Sequence, residues 1–165
     1  MFQYKLNERV IVRGQGVAEI IDIIERSTST GESLDFYVLK VFDKDVQFMV
    51  PTMNNTSIRR PISESEVKDI FNFLGDKDFE AKTGNWNKRL REYTDKLKNG
   101  SIYDVAAILK DLNLAKTTKK LSFSEDKIYK QAKELVIQEL VVSDNSDKMI
   151  VEFKIEECLS YKWLI

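Results

Sequence analysis

The spacing of hydrophobic positions changes character near Pro61. Before it, apolar residues come in short β-branched runs. Val10, Ile11 and Val12 are closed by Gly14 and Gly16, and Val17–Ile24, Phe36–Val41 and Gln47–Val50 follow, the last ended by Pro51. The polar stretch Ser27–Ser33, with Gly31 inside it, predicts a hairpin loop. Four short strands in this length of chain predict a small barrel or a strongly bent sheet, because closure removes exposed strand edges. After Pro61 the period becomes helical. Ser63 and Glu66 form a capping box before Val67, Ile70, Phe71 and Leu74, with Gly75 as the stop. A second helix is predicted from about Asn85 to Asn99 on the stripe Trp86, Leu90, Tyr93 and Leu97, ended by Gly100. A third begins at Ser101, with Asp104 in its first turn and Ile102, Val105, Ile108, Leu109 and Leu112 inward. A fourth begins at the Ser122/Glu125 box and carries Ile128, Ala132, Leu135, Val136 and Leu140. Stripes of this kind have to be buried against one another, so a compact all-α domain is expected.

The end of the chain reads differently. After the turn-like Ser143–Lys148, Val151, Phe153 and Ile155 alternate with Glu152, Lys154 and Glu156, a period of two that predicts a strand. Leu159, Tyr161, Trp163, Leu164 and Ile165 are too apolar to be left in water. They either extend the helical domain or form a docking segment. The fold class expected is α+β, with a β domain over residues 1–61, a helical domain over 62–142 and a C-terminal extension over 143–165.

Composition removes several chemistries. The 165 residues contain no histidine and a single cysteine, Cys158. Histidine-based triads, Cys-His pairs and histidine or multi-cysteine metal sites are therefore excluded, and Cys158 reads as an inert thiol. Arg13-Gly14-Gln15-Gly16 has Glu19 where a dinucleotide loop requires its third glycine, so it is a turn. The carboxylates Glu156-Glu157 and Asp43/Asp45 read as solvated surface. No catalytic residue, metal, cofactor or small-molecule substrate is expected, and the chain is read as non-enzymatic. The longest apolar run, Val105–Leu109, is far short of a membrane span, and the start shows no signal-peptide pattern, so a reduced cytoplasmic protein is expected.

Charge is balanced overall, with 26 basic and 27 acidic residues, so nucleic-acid binding finds no support in net charge. One window departs: Lys82, Lys88, Arg89, Arg91, Lys96 and Lys98 stand against only Glu92 and Asp95. On spacing alone Trp86 is a core residue. It sits, however, in the first turn of its helix, among Lys88, Arg89 and Arg91. An aromatic at a helix end beside cations suits a nucleic-acid backbone, with phosphates on the cations and the indole wedged at an opened base step.

At this point the residues resemble a family. Asn85-Trp86-Asn87-Lys88-Arg89 leads into Lys96-Leu97-Lys98-Asn99-Gly100-Ser101-Ile102-Tyr103-Asp104-Val105-Ala106, then Lys110-Asp111-Leu112 and Lys120-Leu121-Ser122. This series is similar to the core of the CarD/CdnL transcription regulators. Gly16, Phe36–Lys40, Val50-Pro51 and Ile58-Arg59 fall in family order as well, so the resemblance covers about residues 4–140. It implies a Tudor-like barrel that docks on the β subunit of bacterial RNA polymerase. It also implies a helical domain that contacts promoter DNA in the minor groove, without sequence specificity, at the upstream edge of the transcription bubble. The protein would then be cytoplasmic and nucleoid-associated through polymerase. By this resemblance Trp86 is the wedge, Lys88, Arg89 and Arg91 contact DNA, and Arg26 and Arg59 contact polymerase. The chain departs from the family at Asn7-Glu8 and Val12-Arg13. It also has Met49 in place of a second barrel arginine, which moves that polymerase contact to Arg13 or Lys40. The alternative reading is a polymerase-binding adaptor whose helical domain contacts another protein and not DNA. The tail from Val141 onward has no counterpart in the resemblance.

Overall fold

The computed structural model describes residues 2–76, 78, 80, 82 and 84–161, the last by its backbone alone. The chain divides into two units, Met1–Pro61 and Ile62–Ile165.

The first unit is an antiparallel sheet of five strands: β1 Arg9–Val12, β2 Gly16–Ser27, β3 Ser33–Val41, β4 Val46–Pro51 and β5 Ile58–Arg59, in the order β4-β3-β2-β1-β5. The β2–β3 hairpin is the one the polar 27–33 stretch predicts, closed by Thr28 N–H on the Glu32 carbonyl at 2.7 Å. Strand alternation sends Val10, Val12, Ala18, Ile20, Tyr37, Leu39, Val41 and Ile58 to one buried face, with Tyr4 against them. The Tyr37 hydroxyl accepts from the Tyr4 backbone N–H at 3.1 Å, so the largest buried side chain of this unit keeps its polar tip satisfied. The register slips by one residue at Ile21, between the Ile20↔Leu39 and Asp22↔Val38 pairs, and a bulge of this kind bends a sheet. The expected barrel is not closed. Among the described residues β4 pairs only with β3, and β5 pairs only with β1. The reason lies in β5, the one strand that the hydrophobic pattern missed. With two residues it offers too little ladder to join the opposite edge. The bent open sheet is the form adopted.

The second unit contains α1 Glu64–Gly75, α2 Trp86–Asn99, α3 Ile102–Lys116, α4 Phe123–Asp144 and α5 Lys148–Tyr161. The starts of α1, α3 and α4 fall where the capping signals predict. Ser63, Ser101 and Ser122 each accept from the backbone N–H three residues on, and Glu66, Asp104 and Glu125 reach back. Gly100 joins α2 to α3 with extended backbone. A β-carbon there would meet the Lys96 carbonyl oxygen at 2.5 Å, so the junction depends on a missing side chain rather than on unusual torsions. Val67, Ile70, Leu74, Tyr93, Leu97, Leu109, Leu112, Ala132, Val136 and Leu140 meet in one core.

The expected C-terminal strand is a helix. In α5, Val151, Ile155 and Leu159 are buried at four-residue spacing and pack in the same core, while Phe153 is 65% exposed. The apparent two-residue alternation arose because Phe153, on the outer side, happens to be apolar. Asp147 starts the helix, its carboxylate accepting from the Met149 N–H at 2.8 Å, and Asn145 closes α4 in a left-handed conformation. The final apolar residues Trp163, Leu164 and Ile165 lie outside the described residues.

Candidate nucleic-acid interface

Helix α2 presents Trp86 as its first helical residue. Gly84, at φ +116°, makes a turn that a side chain would strain. Asn85 then caps the helix, its side-chain oxygen accepting from the backbone N–H groups of Asn87 at 2.8 Å and Lys88 at 3.4 Å. Trp86 is neither a fully buried core residue nor a free aromatic. It is half-buried against the helical core, with its ring edge-on to Tyr93 at 6.2 Å between centroids.

The three cations predicted beside it separate into two groups. Lys88 and Arg91 are exposed. At about 100° per residue they lie roughly 160° and 140° around the helix from Trp86. A nucleic acid reaching both would meet the tryptophan from the end of the helix, not along one face. Arg89 is half-buried. Its guanidinium lies 5.4 Å from the Trp86 ring centroid and 5.6 Å from that of Tyr93, and it donates to the Tyr93 hydroxyl at 3.2 Å. Its Nε is buried and has no hydrogen-bond partner among the described residues. Arg89 thus differs from Lys88 and Arg91, because its i,i+3 and i,i+4 spacing to Trp86 and Tyr93 turns it inward.

Behind Arg89 is a buried polar chain. The Tyr93 hydroxyl donates to Asp111 Oδ2 at 3.1 Å, and Asp111 Oδ1 accepts from the Lys82 backbone N–H at 3.2 Å. Tyr93 is 1% exposed and Asp111 2%. Burial pushes the Tyr93 hydroxyl up to about 12, against the opposing bond from Arg89. Burial likewise raises the Asp111 carboxyl, opposed by the Lys82 N–H, the Tyr93 hydroxyl and the Lys82 and Arg89 cations. The Lys82 ammonium pairs with Glu92 at 3.3 Å.

A second cationic surface was not anticipated. Lys116, Lys119 and Lys120 line a hollow of about 500 Å³ at the start of α4, with Phe123 standing 88% exposed on its rim. Lys119 pairs with Glu125 at 3.1 Å, and the Lys116 ammonium lies 4.7 Å from the Tyr129 ring centroid. The signal was available in Lys116-Thr117-Thr118-Lys119-Lys120, three cations in five residues with no carboxylate between them.

The cations predicted on the β unit do not form one cluster. Arg26 is exposed near the β2–β3 hairpin tip, opposite Leu34, whereas Lys40 is opposite Glu19 at the other end of the ladder. At about 3.3 Å per residue these positions are roughly 20 Å apart. Lys40 pairs loosely with Asp45 at 3.9 Å. Arg59 lies on β5 opposite Ile11 and donates to the Arg60 carbonyl, and Arg13 donates from Nε to the Thr56 carbonyl at 2.8 Å. Around Arg26 the outward face is apolar: Leu34 and Met49 are exposed and Ile24, Phe36 and Val38 half-buried, on neighbouring strands in register.

Comparison with known proteins bears on both units. Residues 69–156 match the family of the CarD C-terminal domain, and residues 4–62 match that of the CarD-like/TRCF RID domain. The chain belongs to the CarD family. This is a family of transcription regulators, and a relative from Bacillus subtilis (strain 168), described as putative transcription factor YdeB, agrees with it. That protein is 29% identical over 156 residues, covering 91% of this chain and 99% of the relative. The C-terminal match extends to residue 156, so most of α5 lies within the family domain. Among the described residues of this CarD-family chain, no helix is long and apolar enough to cross a membrane, and no group of three or more acidic or cysteine side chains is placed to hold a metal.

Proposed function

We propose that this chain regulates transcription by holding RNA polymerase with its β unit and promoter DNA with its helical unit. The observation that carries the reading is Trp86. A large aromatic sits in the first turn of α2, braced from behind and only half-buried, with Lys88 and Arg91 exposed on the same helix. Such a residue can enter a minor groove where base steps open at the upstream edge of a transcription bubble, while the lysine and arginine meet the flanking phosphates. Occupying that edge opposes bubble collapse. No bond is made or broken. The hollow of Lys116, Lys119 and Lys120 adds cations that a passing backbone can use.

On the β unit, the face carrying Arg26, Leu34, Phe36 and Met49 is the proposed contact with the polymerase β subunit. It combines the exposed Arg26 with the exposed Leu34 and Met49 and the half-buried Phe36, as the centre and rim of a protein interface require. Its match to the CarD-like/TRCF RID family supports that partner. With polymerase as the anchor, DNA affinity at Trp86 need only be modest, because tethering raises the local concentration. A chain of net charge −1 with one locally cationic helix fits that arrangement.

Permanganate footprinting with the cognate polymerase tests the reading. Adding the protein raises thymine reactivity within the bubble, and folded Trp86→Ala does not. A second reading, a polymerase-bound adaptor whose helical unit grips another protein, draws on the exposed Met149, Ile150 and Phe153 of α5. Unchanged bubble reactivity with wild-type protein confirmed on polymerase would favour that adaptor.

A further inference from the structure

We infer that Arg89, Tyr93 and Asp111 are positioning residues for Trp86, and that Arg89 acts through the indole and not through a phosphate. The inference deepens the DNA reading of Trp86 and rests on it for its consequence, but not for its geometry. The chain of contacts is continuous. Asp111 on α3 accepts from the Tyr93 hydroxyl at 3.1 Å, that hydroxyl accepts from Arg89 at 3.2 Å, and the Arg89 guanidinium lies over the rings of both Tyr93 and Trp86. The other Asp111 oxygen takes the Lys82 backbone N–H at 3.2 Å, so one buried carboxylate fixes both the helix behind the tryptophan and a point on the segment leading into it. A side chain meant to wedge must keep one orientation as it enters, since a freely turning indole would spend binding free energy on being ordered. The half-buried Arg89 has its Nε enclosed and one guanidinium nitrogen on the Tyr93 hydroxyl, beside the indole.

The two roles of Arg89 predict different behaviour. A phosphate contact contributes about 0.9 to the slope of log affinity against log salt, whereas loss of a brace lowers affinity at every salt concentration without changing the slope. Trp86 can be followed alone in the full-length protein with Trp163→Phe, because the chain has only two tryptophans. In that background Tyr93→Phe, Asp111→Asn and Arg89→Gln are expected to shift Trp86 emission to the red and increase its quenching by acrylamide, with helix content unchanged by circular dichroism. Arg89→Lys, which keeps a cation at the rings, restores most of the signal. On a forked promoter duplex the first three variants lose roughly three- to tenfold in affinity, the effect of one hydrogen bond, at unchanged salt slope. Lys88→Gln and Arg91→Gln instead lower the slope and leave the emission alone. Arg89→Gln carries the test if Asp111→Asn costs the fold.

Unchanged Trp86 emission in Tyr93→Phe and Arg89→Gln overturns the inference, as does a salt slope for Arg89→Gln reduced to that of Arg91→Gln. A wild-type protein that fails to bind the duplex, while the emission responds as described, upholds the brace and removes the DNA reading.

Discussion

In the helical unit, the residues around Trp86 converge: α2 and α3 together place an aromatic, a guanidinium, a phenol and a carboxylate in one connected chain. In the β unit, the cations are dispersed. Arg26 and Lys40 stand at opposite ends of one ladder, and Arg59 occupies a short edge strand. The difference follows from geometry. A helix returns every three to four residues to the same side, so a few positions build a site. A strand spreads its residues along its length and divides them between two faces, so a contact surface there has to be assembled across several strands. The helical unit therefore gathers its candidate side chains at one point, and the β unit spreads its cations over a broad face.

The comparison can be broken most severely at α5. Ile155, which is fully buried, and Phe153, which is exposed, would be equivalent in the alternating strand that the sequence suggested. In the helix they are not. Ile155→Ala is expected to cost about 2–5 kcal/mol in chemical denaturation and Phe153→Ala to change stability by under about 0.5. Equal effects would contradict the helical packing of α5. The broad-face account of the β unit is sharpened by charge reversal. Arg26→Glu, beside the exposed Leu34, is expected to weaken polymerase binding on the order of tenfold, while Lys40→Glu, already beside Asp45, does much less. Surface-immobilised polymerase reads both.

Smaller effects report the local chemistry of the helical unit. Ser122→Ala removes the cap of α4 and is expected to cost about 1 kcal/mol. Tyr93 gives a signature at high pH. Its folded value of about 12 lies above the ordinary 10.0, so its contribution to stability is complete below pH 10 and lost as pH rises toward 12. A late phase in the ultraviolet tyrosine titration, absent from Tyr93→Phe, is the expected observation.

The legible part of this molecule was the part written locally. Three helix starts could be read because Ser63, Ser101 and Ser122 each bond within their own first turn, and the β2–β3 hairpin could be read because its polar loop adjoins both strands. Long-range features were less visible. β5 is two residues whose pairing depends on β1, far away in sequence, and no short window reveals it. α5 was misread because one exposed phenylalanine imitated a strand, although Asp147 at its start and the four-residue spacing of Val151, Ile155 and Leu159 were both present. At the candidate site, the place of Trp86 in the first turn of α2 was legible from sequence, and Lys88 and Arg91 are exposed on that helix. The inward turn of Arg89 has a local signal in its i,i+3 and i,i+4 spacing to Trp86 and Tyr93, whereas the bond from Tyr93 to Asp111, eighteen residues on and on another helix, has none. The Lys116–Lys120 surface lies outside the cationic window that adjoins an aromatic stripe, and three lysines without such a stripe give little sign of a site.

The most direct measurement is the lifetime of a promoter complex formed with the cognate RNA polymerase and challenged with competitor, compared without the protein, with wild type and with Trp86→Ala. Wild-type protein is expected to lengthen the lifetime, and Trp86→Ala, folded and still bound to polymerase, to return it to the value without the protein. An equal lengthening by both proteins would contradict the claim that Trp86 is the residue through which this chain holds promoter DNA open.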